Sequence, residues 1–404
     1  MLTVDEQMKI ILSGASEVVP QKELRTKLER GKPLTIKLGV DPTSPDLHLG
    51  HAVPLRKLRQ FQDLDHNVVL IIGDGTALIG DPSGRDSTRP TLTEDEIKEN
   101  AKTYVAQAEK ILDPHKTKVV FNGDWIKPLT LKNMLSLMSS FTVARILERD
   151  DFSKRFHENK SISLHEFMYP VLQALDSVEI KADVELGGTD QIFNLLAGRT
   201  LMEKEGLEPQ IALTLPLLEG TDGEKKMSKS YGNYIGLNDE ASDMFGKVMS
   251  IPDSLIAKYY RLASTLPVAE VDAIEKDIAA GAADPYALKR KLAINIVDLY
   301  HGKGAGDEAQ ASFDALFKEH QRPEAKTVQL ELTVNENGAI YLPALLKEVG
   351  LANSAGDARR LIDGGGIKIN DNPVAPKRYE LSKDDLENAF VQAGKRRAVQ
   401  LATQ

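Results

Sequence analysis

The chain has 404 residues, no cysteine and a formal charge of −9 at pH 7. This length exceeds an ordinary single domain, so we expect two or three domains, each with its own core. The absence of cysteine excludes disulfides, thiolate catalysis and Cys-ligated zinc, and apolar runs such as the five residues 68–72 are far shorter than the ~20 that a membrane helix needs. We therefore expect a cytoplasmic protein with no membrane partner.

The first predicted element is a buried strand at 34–40, which is rich in apolar and β-branched residues. A turn at 41–46 follows, and apolar residues at helical spacing then predict a helix that begins near His48. His48 and His51 would lie at the N-terminus of this helix, where unpaired N–H groups and the helix dipole favour an anion. Gly50 would leave room for a nucleotide against the backbone. Taken alone, the pattern is more often a helix cap beside a solvated histidine, and less often a two-histidine metal site.

Strand-like runs alternate with helical patterns from the first strand to about Ser230. Such alternation predicts an α/β fold with a doubly wound parallel sheet. We expect a Rossmann-like domain at 1–230, whose ligands bind at the carboxyl ends of the strands. The stretch from about 91 to 176 is longer and more helical than one crossover needs, so we interpret it as an insertion. The predicted strands are 35–40, 68–72, 118–121, 182–186 and 211–218.

A polar face is predicted on the helix around 167–176. Tyr169, Gln173 and Asp176 are spaced i, i+4 and i+7, which places them on one side of a helix whose other positions are mostly apolar. This face is either a solvated surface, the commoner case, or a polar slot cut into a core. Pro170 within the pattern suggests a distorted turn.

Two further loops carry residues suited to a nucleotide. Gly188 would let adenosine approach the backbone and Asp190 suits ribose hydroxyls, although these positions are also typical of a helix cap. Lys226, Lys229 and Ser230 lie in a loop of lysines and small hydroxyl residues. Such a loop suits a phosphate charge that shifts during a reaction, but alone it would be an ordinary solvated surface. Together with the histidine pattern, it predicts that the chain binds ATP.

The remainder of the chain is predicted as an α-helical domain at 231–325, a linker at 326–340 and a small α+β domain at 341–404. The last domain reads as two helices, a glycine turn and a strand, and contains ten Lys and Arg against eight Asp and Glu. A nucleic-acid surface needs local positive charge rather than a basic whole. This domain has a small excess of positive charge, whereas the chain as a whole is negative. The difference points to this domain as an RNA-binding surface.

Taken together, these motifs resemble those of the class I aminoacyl-tRNA synthetases, and within that class the tyrosyl-tRNA synthetases of bacterial type. The resemblance extends over essentially the whole chain. It implies L-tyrosine, tRNA(Tyr) and ATP as partners, Mg²⁺ brought by the nucleotide, no protein-bound metal and no DNA, a homodimer formed through the insertion, and an S4-like RNA-binding domain at the end. The motifs are His48-Leu49-Gly50-His51, Lys226-Met227-Ser228-Lys229-Ser230, Asp41-Pro42-Thr43, Ile79-Gly80-Asp81-Pro82-Ser83-Gly84 and Gly187-Gly188-Thr189-Asp190-Gln191.

The resemblance also implies a role for individual residues. Asp176 would accept a hydrogen bond from the substrate phenol, while Tyr169, Gln173 and Asp81 would hold its ammonium group. The residues implied for tRNA, Arg359, Arg360 and Lys368, are each equally well explained as part of a solvated basic surface. The other implied residues are Asp41, Thr76 and Gln191 for tyrosine; Gly39, Thr43, Gly50, Gly188 and Asp190, with the histidines and loop lysines, for ATP; Arg85 and Arg89 for the departing pyrophosphate; and Arg359, Arg360 and Lys368 for tRNA.

Lys37 departs from the pattern of this family, in which many members have a tyrosine here as a second partner for the substrate hydroxyl. An ammonium group at this position could pair with Asp176 or another acid of the pocket, or donate to the phenol oxygen. It could equally turn away from the pocket. The hydrogen bonds that recognise the substrate hydroxyl must therefore differ in detail from those in the members that have a tyrosine at this position.

The predicted reaction is in-line attack of the substrate carboxylate on the α-phosphorus of ATP. Positioning and charge stabilisation would come from His48, His51, Lys226, Lys229 and Ser230. Three alternatives remain open: a tryptophanyl-type synthetase, an RNA-binding regulatory protein descended from a synthetase, and an unrelated nucleotidyltransferase. The polar helix and the S4-like tail argue against the first, the intact signatures against the second, and the tail against the third.

Overall fold

The computed structural model describes residues 2–42, 46–82, 93–317, 325–330, 332, 334–335, 338–394 and 397–403. Its contacts divide the chain into two compact units, Met1–Gly306 and Asp307–Gln404. Thr43, Arg85 and Arg89, to which we assigned roles above, lie outside the described residues.

The first unit consists of a sheet covered by helices, followed by a helical region. Its strands are β1 (Glu17–Val19), β2 (Thr35–Val40), β3 (Asn67–Ile72), β4 (Thr117–Phe121), β5 (Val184–Gly188) and β6 (Ile211–Leu215). Its helices are α1 (Val4–Leu12), α2 (Gln21–Glu29), α3 (Leu49–Asp63), α4 (Glu94–Ala108), α5 (Gly123–Ile126), α6 (Leu131–Met138), α7 (Val143–Ile146), α8 (Asp150–His157), α9 (Met168–Ile180), α10 (Ile192–Lys204), α11 (Ala241–Met249), α12 (Ile256–Ala263), α13 (Val268–Ala279) and α14 (Pro285–His301), with α15 (Ala305–Phe317) crossing the boundary between the units.

Within the described residues, the sheet has six strands in the order β1-β6-β5-β2-β3-β4. Strands β2 to β6 pair in parallel, which confirms the predicted doubly wound α/β architecture. The chain winds outward from β2 through β3 to β4 and then returns to β5 on the other side of β2. The carboxyl ends of β2 and β5 therefore form the switch point at which ligands bind in such sheets.

The sheet differs from the prediction at its edge and at two strand ends. The short strand β1 pairs antiparallel with β6, and the prediction missed it because three residues beginning with Glu17 carry no readable periodicity. Strand β5 extends through Gly188, beyond the predicted end at residue 186, because both glycines still pair with β6. Strand β6 ends at Leu215 rather than at residue 218.

The segment between β4 and β5 carries helices α5 to α9. Helices α6 to α8 pack on α9 and α10 through an apolar cluster that includes Phe152, Leu175 and Leu201. Since α4 and β4 belong to the ordinary crossover that precedes this segment, the range 91–176 begins too early for an insertion. The distortion that we expected at Pro170 is also wrong: α9 is regular, and Pro170 lies in its first turn, where its missing N–H is not needed.

The second unit is a small α+β domain that fits the predicted S4-like fold. It begins before the predicted residue 341, because the strand Ala325–Leu330, most of which was predicted as linker, pairs with the strand Arg397–Thr403. A five-stranded sheet of the order β10-β9-β12-β13-β7 and a two-stranded sheet β11-β8 are found in its described residues. Helices α16 and α17 pack together over a core that includes Leu346, Ile362 and Ile367. The elements are β7 (Ala325–Leu330), β8 (Ala339–Tyr341), α16 (Leu342–Glu348), α17 (Ala355–Asp363), β9 (Ile367–Ile369), β10 (Asn372–Pro373), β11 (Glu380–Ser382), α18 (Lys383–Leu386), β12 (Phe390–Ala393) and β13 (Arg397–Thr403).

Across the described parts of both units, no helix combines the length and the apolar character that crossing a bilayer requires.

Candidate active site

A cavity of about 310 Å³ opens at the carboxyl ends of β2 and β5, at the switch point of the sheet. Many of the residues predicted to bind tyrosine or ATP line this one cavity, although they come from distant parts of the chain. Asn122, which the sequence analysis did not select, also lines it. The predicted residues found here are Gly39, Asp41, Gly50, His51, Thr76, Asp81, Tyr169, Gln173, Asp176, Gly188 and Gln191.

Asp176 on α9 is buried in the wall of the cavity. Its carboxylate accepts hydrogen bonds from Trp125 Nε1 at 2.9 Å and from Asn122 Nδ2 at 3.3 Å. Burial raises the pKa of the Asp176 carboxyl to about 7, against the opposing effect of the nearby Lys37 charge. The sequence held a signal for the two donors: both closely follow strand β4, at the edge where ligands of a parallel sheet gather, and Trp125 is the chain's single tryptophan.

Asp41 connects the end of β2 to the polar face of α9. Its carboxylate accepts hydrogen bonds from the Tyr169 hydroxyl and from the Thr76 hydroxyl, each at 2.9 Å. A Cβ at Gly73 would lie 2.2 Å from Asp41 Oδ1 and 2.4 Å from Thr76 Oγ1, so a side chain there would displace this hydrogen-bonded pair. The polar face of α9 is therefore a slot in the core, and Asp41 fixes the position of its first member, Tyr169.

Asp81 lies in the cavity among amide and guanidinium groups. It accepts hydrogen bonds from Gln191 Nε2 at 2.8 Å and from Arg149 Nη2 at 2.9 Å. Arg149 is 4% exposed, and its Nε lies 2.8 Å from Asp151. Asn194 donates one hydrogen bond to Gln173 Oε1 and another to Gln191 Oε1, both at 2.9 Å. Arg149 could not be predicted from the sequence, because nothing in the residues between α7 and α8 marks this arginine as buried.

Lys37 points neither into the cavity nor into solvent: its ammonium group is buried and lies 3.0 Å from the carboxylate of Glu185. It also donates to the main-chain carbonyl of Gln173 at 3.3 Å. Lys37 is not among the cavity-lining residues, and Glu185 was not selected from the sequence. The parallel register of β2 and β5 places Lys37 directly beside Glu185.

His48 and His51 lie at the N-terminus of α3 as predicted, with their ring centroids 3.8 Å apart. Burial lowers the pKa of His48 to about 3, aided by His51 and Lys229, and burial together with Lys229 lowers the pKa of His51 to about 4. Both rings are therefore neutral near pH 7. The His48 backbone N–H donates to His51 Nδ1 at 3.3 Å, so the proton of neutral His51 is on Nε2.

Gly50 has a second reason to be glycine beyond access for a nucleotide. A Cβ at this position would lie 3.0 Å from the His48 ring, so the histidine itself occupies part of the space that glycine leaves. His48 Nδ1 is buried and has no hydrogen-bond partner among the described residues. A buried polar atom of this kind is typical of a site that awaits a ligand.

The lysine loop is attached to the histidine motif through the main chain. Leu49 N donates to Ile235 O and Leu237 N donates to Leu47 O, each at 2.9 Å. Lys229 Nζ lies 2.9 Å from the Asp46 carboxylate, just ahead of His48. The two signature motifs, far apart in sequence, are therefore neighbours in the fold.

Buried Asn233 anchors the lysine loop from below. It accepts a hydrogen bond from Ser228 N at 2.8 Å and donates to Asp222 at 2.9 Å.

Asp190 lies in the turn that follows β5. Burial and the charge of Asp81 raise the pKa of Asp190, while the charge of Lys226 opposes this shift. Lys226 is therefore near enough to Asp190 for its charge to act on this carboxylate.

In the second unit, Arg359 and Arg360 lie on α17 and Lys368 on β9. Arg359 Nε donates to the Tyr341 hydroxyl at 2.7 Å, and its guanidinium lies 5.7 Å from the centroids of the Tyr341 and Tyr379 rings. Arg360 and Lys368 are exposed. Their contacts with tRNA phosphates stay a prediction.

The pH dependence of tyrosine use is expected to report the ionisation of Asp176. Because the ionised carboxylate is the better acceptor for a phenol, kcat/KM for tyrosine should rise with pH through about 7 and then level off. The two histidines are already neutral in this range and should add no further step. Steady-state kinetics between pH 5.5 and about 8.5 would check this. A flat profile across that range would contradict it.

A cavity lined by Gly50 and His51 on a doubly wound sheet, with the lysine motif held next to the histidine motif, is the arrangement of a class I tRNA synthetase. Residues 29–318 match the family model described as tRNA synthetases class I (W and Y), and the chain belongs to that family. Its relatives include the tyrosine–tRNA ligase of Carboxydothermus hydrogenoformans, 48% identical over 99% of both chains. That of Thermotoga maritima is 48% identical over 98% of this chain and 97% of its own. Within the family, the chain belongs with the tyrosine–tRNA ligases.

Solved structures show the same fold. The tyrosyl-tRNA synthetase of Archaeoglobus fulgidus, complexed with L-tyrosine, superposes with a TM-score of 0.63 at 23% identity, covering 76% of this chain and 99% of its own. The C-terminally truncated mitochondrial tyrosyl-tRNA synthetase of Aspergillus nidulans gives a TM-score of 0.64 at 23% identity, over 78% and 94%. At this level of identity the likeness concerns the architecture alone.

Proposed function

We propose that the chain activates L-tyrosine with ATP to tyrosyl-adenylate and transfers the tyrosine to the 3′ end of tRNA(Tyr), acting in the cytoplasm. The observation that carries this proposal is that one cavity is lined both by a buried carboxylate, Asp176, and by Gly50 and His51 of the histidine motif. The carboxylate suits a phenol, and the helix N-terminus with neutral imidazole donors suits a triphosphate. The full-length relatives support the same assignment.

In the proposed first step, an oxygen of the tyrosine carboxylate attacks the α-phosphorus. A bond between this oxygen and phosphorus forms while the bond from phosphorus to the pyrophosphate oxygen breaks. The carboxylate needs no general base, so the protein contributes positioning and charge stabilisation. His48, His51, Lys226, Lys229 and Ser230 would stabilise the departing pyrophosphate, whose Mg²⁺ would arrive with ATP. In the second step, a terminal ribose hydroxyl of tRNA attacks the carbonyl carbon and AMP leaves.

For tyrosine, Asp176 would accept the hydrogen bond of the phenol, and the ammonium group would bind between Asp81, Tyr169 and Gln173. Asp81 and Tyr169 already take part in hydrogen bonds that fix their positions, through Arg149 and through Asp41. A binding site that is ordered before the ligand arrives loses less entropy on binding. Gly188 and Asp190 would contact the ribose, and Gln191 the substrate carboxylate or the α-phosphate.

We further propose a homodimer that forms through the segment 131–164. Its large apolar side chains are exposed to a degree unusual for a monomer, with Leu131 at 75% and Leu164 at 84%. On α6, Leu131, Leu135 and Met138 follow the i, i+4, i+7 spacing of one helix face. The set continues with Val143 on α7, Phe156 on α8 and Leu164 in the turn before α9. A second copy of the chain would cover this surface.

Replacing Leu135 by Glu is expected to weaken this dimer, because the substitution puts a charge into an apolar interface. Sedimentation equilibrium should show a shift toward monomer at micromolar concentration. Leu2→Glu, at another exposed leucine outside the segment, should leave the association state unchanged. A Leu135→Glu variant that associates as tightly as the wild-type protein would refute the proposed interface.

The proposed activity is tested by tyrosine-dependent exchange of pyrophosphate into ATP. The purified protein should exchange pyrophosphate with tyrosine and not with tryptophan or phenylalanine, and should then charge tRNA(Tyr). Exchange that depends on tryptophan would favour a tryptophanyl-type enzyme. The absence of exchange with every amino acid would favour a regulatory RNA-binding protein.

A further inference from the structure

A buried ion pair lies directly beneath the amino-acid pocket. Lys37 Nζ and Glu185 Oε1 are 3.0 Å apart, with side chains 0% and 1% exposed. They stand side by side on the neighbouring parallel strands β2 and β5. Burying such a pair costs desolvation energy that its own attraction often does not repay, and apolar residues of similar size are frequently as stable. A role in stability alone therefore does not explain why this site has charges.

The carboxylate of Glu185 is connected to the pocket-facing helix at two successive turns. Gln173 Nε2 donates to Oε1 at 2.9 Å, and the Ser177 hydroxyl donates to Oε2 at 3.2 Å. Gln210 Nε2 also donates to Oε2. On the other side of the pair, Lys37 donates to the main-chain carbonyl of Gln173. Both partners thus contact Gln173, whose side chain lines the pocket.

The charges of the same pair also act on Asp176, which lies one turn beyond Gln173 on α9. Lys37 of β2 and Glu185 of β5 are the charged groups that act on this carboxyl, and the segment after β4 contributes the uncharged donors Asn122 and Trp125. Lys37 lowers the pKa of Asp176 and Glu185 raises it. The two effects oppose each other and that of Lys37 is the larger, so losing one partner shifts the pKa of Asp176 in a direction set by which partner is lost.

We propose that the Lys37–Glu185 pair is a positioning pair for tyrosine selection: it fixes Gln173 from beneath the pocket and keeps Asp176 an acceptor for the substrate hydroxyl. Neither residue touches the substrate. Many family members have a tyrosine at the position of Lys37, and its hydroxyl contacts the substrate hydroxyl directly. In this chain, the lysine does not take over that contact and instead affects selection through the residues of α9. The inference rests on the proposed function, because it concerns the selection of tyrosine by that site.

The pair predicts pH shifts of opposite sign for two single variants. With Lys37→Met, Asp176 faces an unbalanced Glu185, so the rising limb of kcat/KM for tyrosine should move up by about one pH unit. With Glu185→Gln, Asp176 faces an unbalanced Lys37, and the limb should move down. At a pH below the limb, Lys37→Met should therefore lose about tenfold in kcat/KM for tyrosine relative to phenylalanine. The KM for ATP should stay within about twofold in both variants.

The double variant Lys37→Met/Glu185→Gln leaves no unpaired charge, so its limb should lie between those of the two single variants. Lys27→Met is the matched control, because Lys27 is also buried and pairs with Asp183 at 2.8 Å on a different part of the fold. It should lower the melting temperature without moving the limb. If one single variant does not fold, the sign of the shift in the other still decides the question.

Two results would overturn the inference: shifts of the same sign in both single variants, or a wild-type limb and wild-type selectivity in each folded variant. The wild-type protein is assayed first. If it shows no tyrosine-dependent exchange, the proposed function itself fails. If it shows exchange and the variants do not shift as described, only the role of the pair fails.

Discussion

Replacing Asp176 by alanine is expected to remove most of the preference for tyrosine over phenylalanine. The carboxylate is buried in the pocket wall, and Trp125 and Asn122 hold it in place. For tyrosyl-tRNA synthetases, discrimination against phenylalanine is about 10⁵ without editing, a value that we adopt for the class and do not derive from this structure. We expect kcat/KM for tyrosine to fall by about 10³ or more while that for phenylalanine changes by less than about tenfold.

Pyrophosphate exchange with each amino acid measures this effect. Asp183→Asn provides the control, because Asp183 is a partly buried carboxylate that accepts a hydrogen bond from Thr35 N, away from the cavity. That variant should be less stable but equally selective. If Asp176→Ala kept wild-type selectivity, Asp176 would not be the group that senses the hydroxyl.

Replacing Lys229 by alanine is expected to slow adenylate formation with little effect on tyrosine binding. The lysine lies beside the histidine motif, paired with Asp46. In the proposed reaction it would stabilise the departing pyrophosphate. An interaction made mainly in the transition state changes kcat rather than substrate affinity. Loss of one preorganised charge-stabilising group typically costs a factor of about 10²–10³ in rate.

Rapid-quench measurement of tyrosyl-adenylate formation, with equilibrium binding of tyrosine in parallel, would separate the two quantities. Lys225→Ala is the matched control: this lysine belongs to the same loop, but its ammonium lies 5.2 Å from the Tyr231 ring centroid. His48→Gln should behave like Lys229→Ala, since His48 Nδ1 is buried without a partner among the described residues. Equal losses in rate and in tyrosine affinity would contradict these roles.

Periodicity and motif spacing were sufficient to predict the parallel sheet, the helix that begins at His48 and the polar face of α9. These features depend on local sequence, because strands, caps and helix faces are encoded within about ten residues. The S4-like tail and the family were predicted from motifs in the same way. None of this required knowledge of which strands are neighbours.

The features that the sequence did not reveal all depend on distant contacts. The Lys37–Glu185 pair exists because β2 and β5 are adjacent and in register, which a single sequence does not specify. Arg149 is buried because the segment after β4 folds back toward Asp81. A useful signal was nevertheless present: Lys37 and Glu185 each interrupt an otherwise apolar strand, and opposite charges in two buried strands indicate a pair.

The main-chain hydrogen bonds between Leu49 and Ile235 and between Leu237 and Leu47 have a consequence for the motion of the lysine loop. The four residues are also buried, so peptide hydrogen bonds and packing together hold this join in place. We expect the loop between Gly220 and Asn233 to move more readily than the join, which stays fixed beside the histidine motif. Amide protons of Leu49 and Leu237 should accordingly exchange with solvent more slowly than those of the intervening loop.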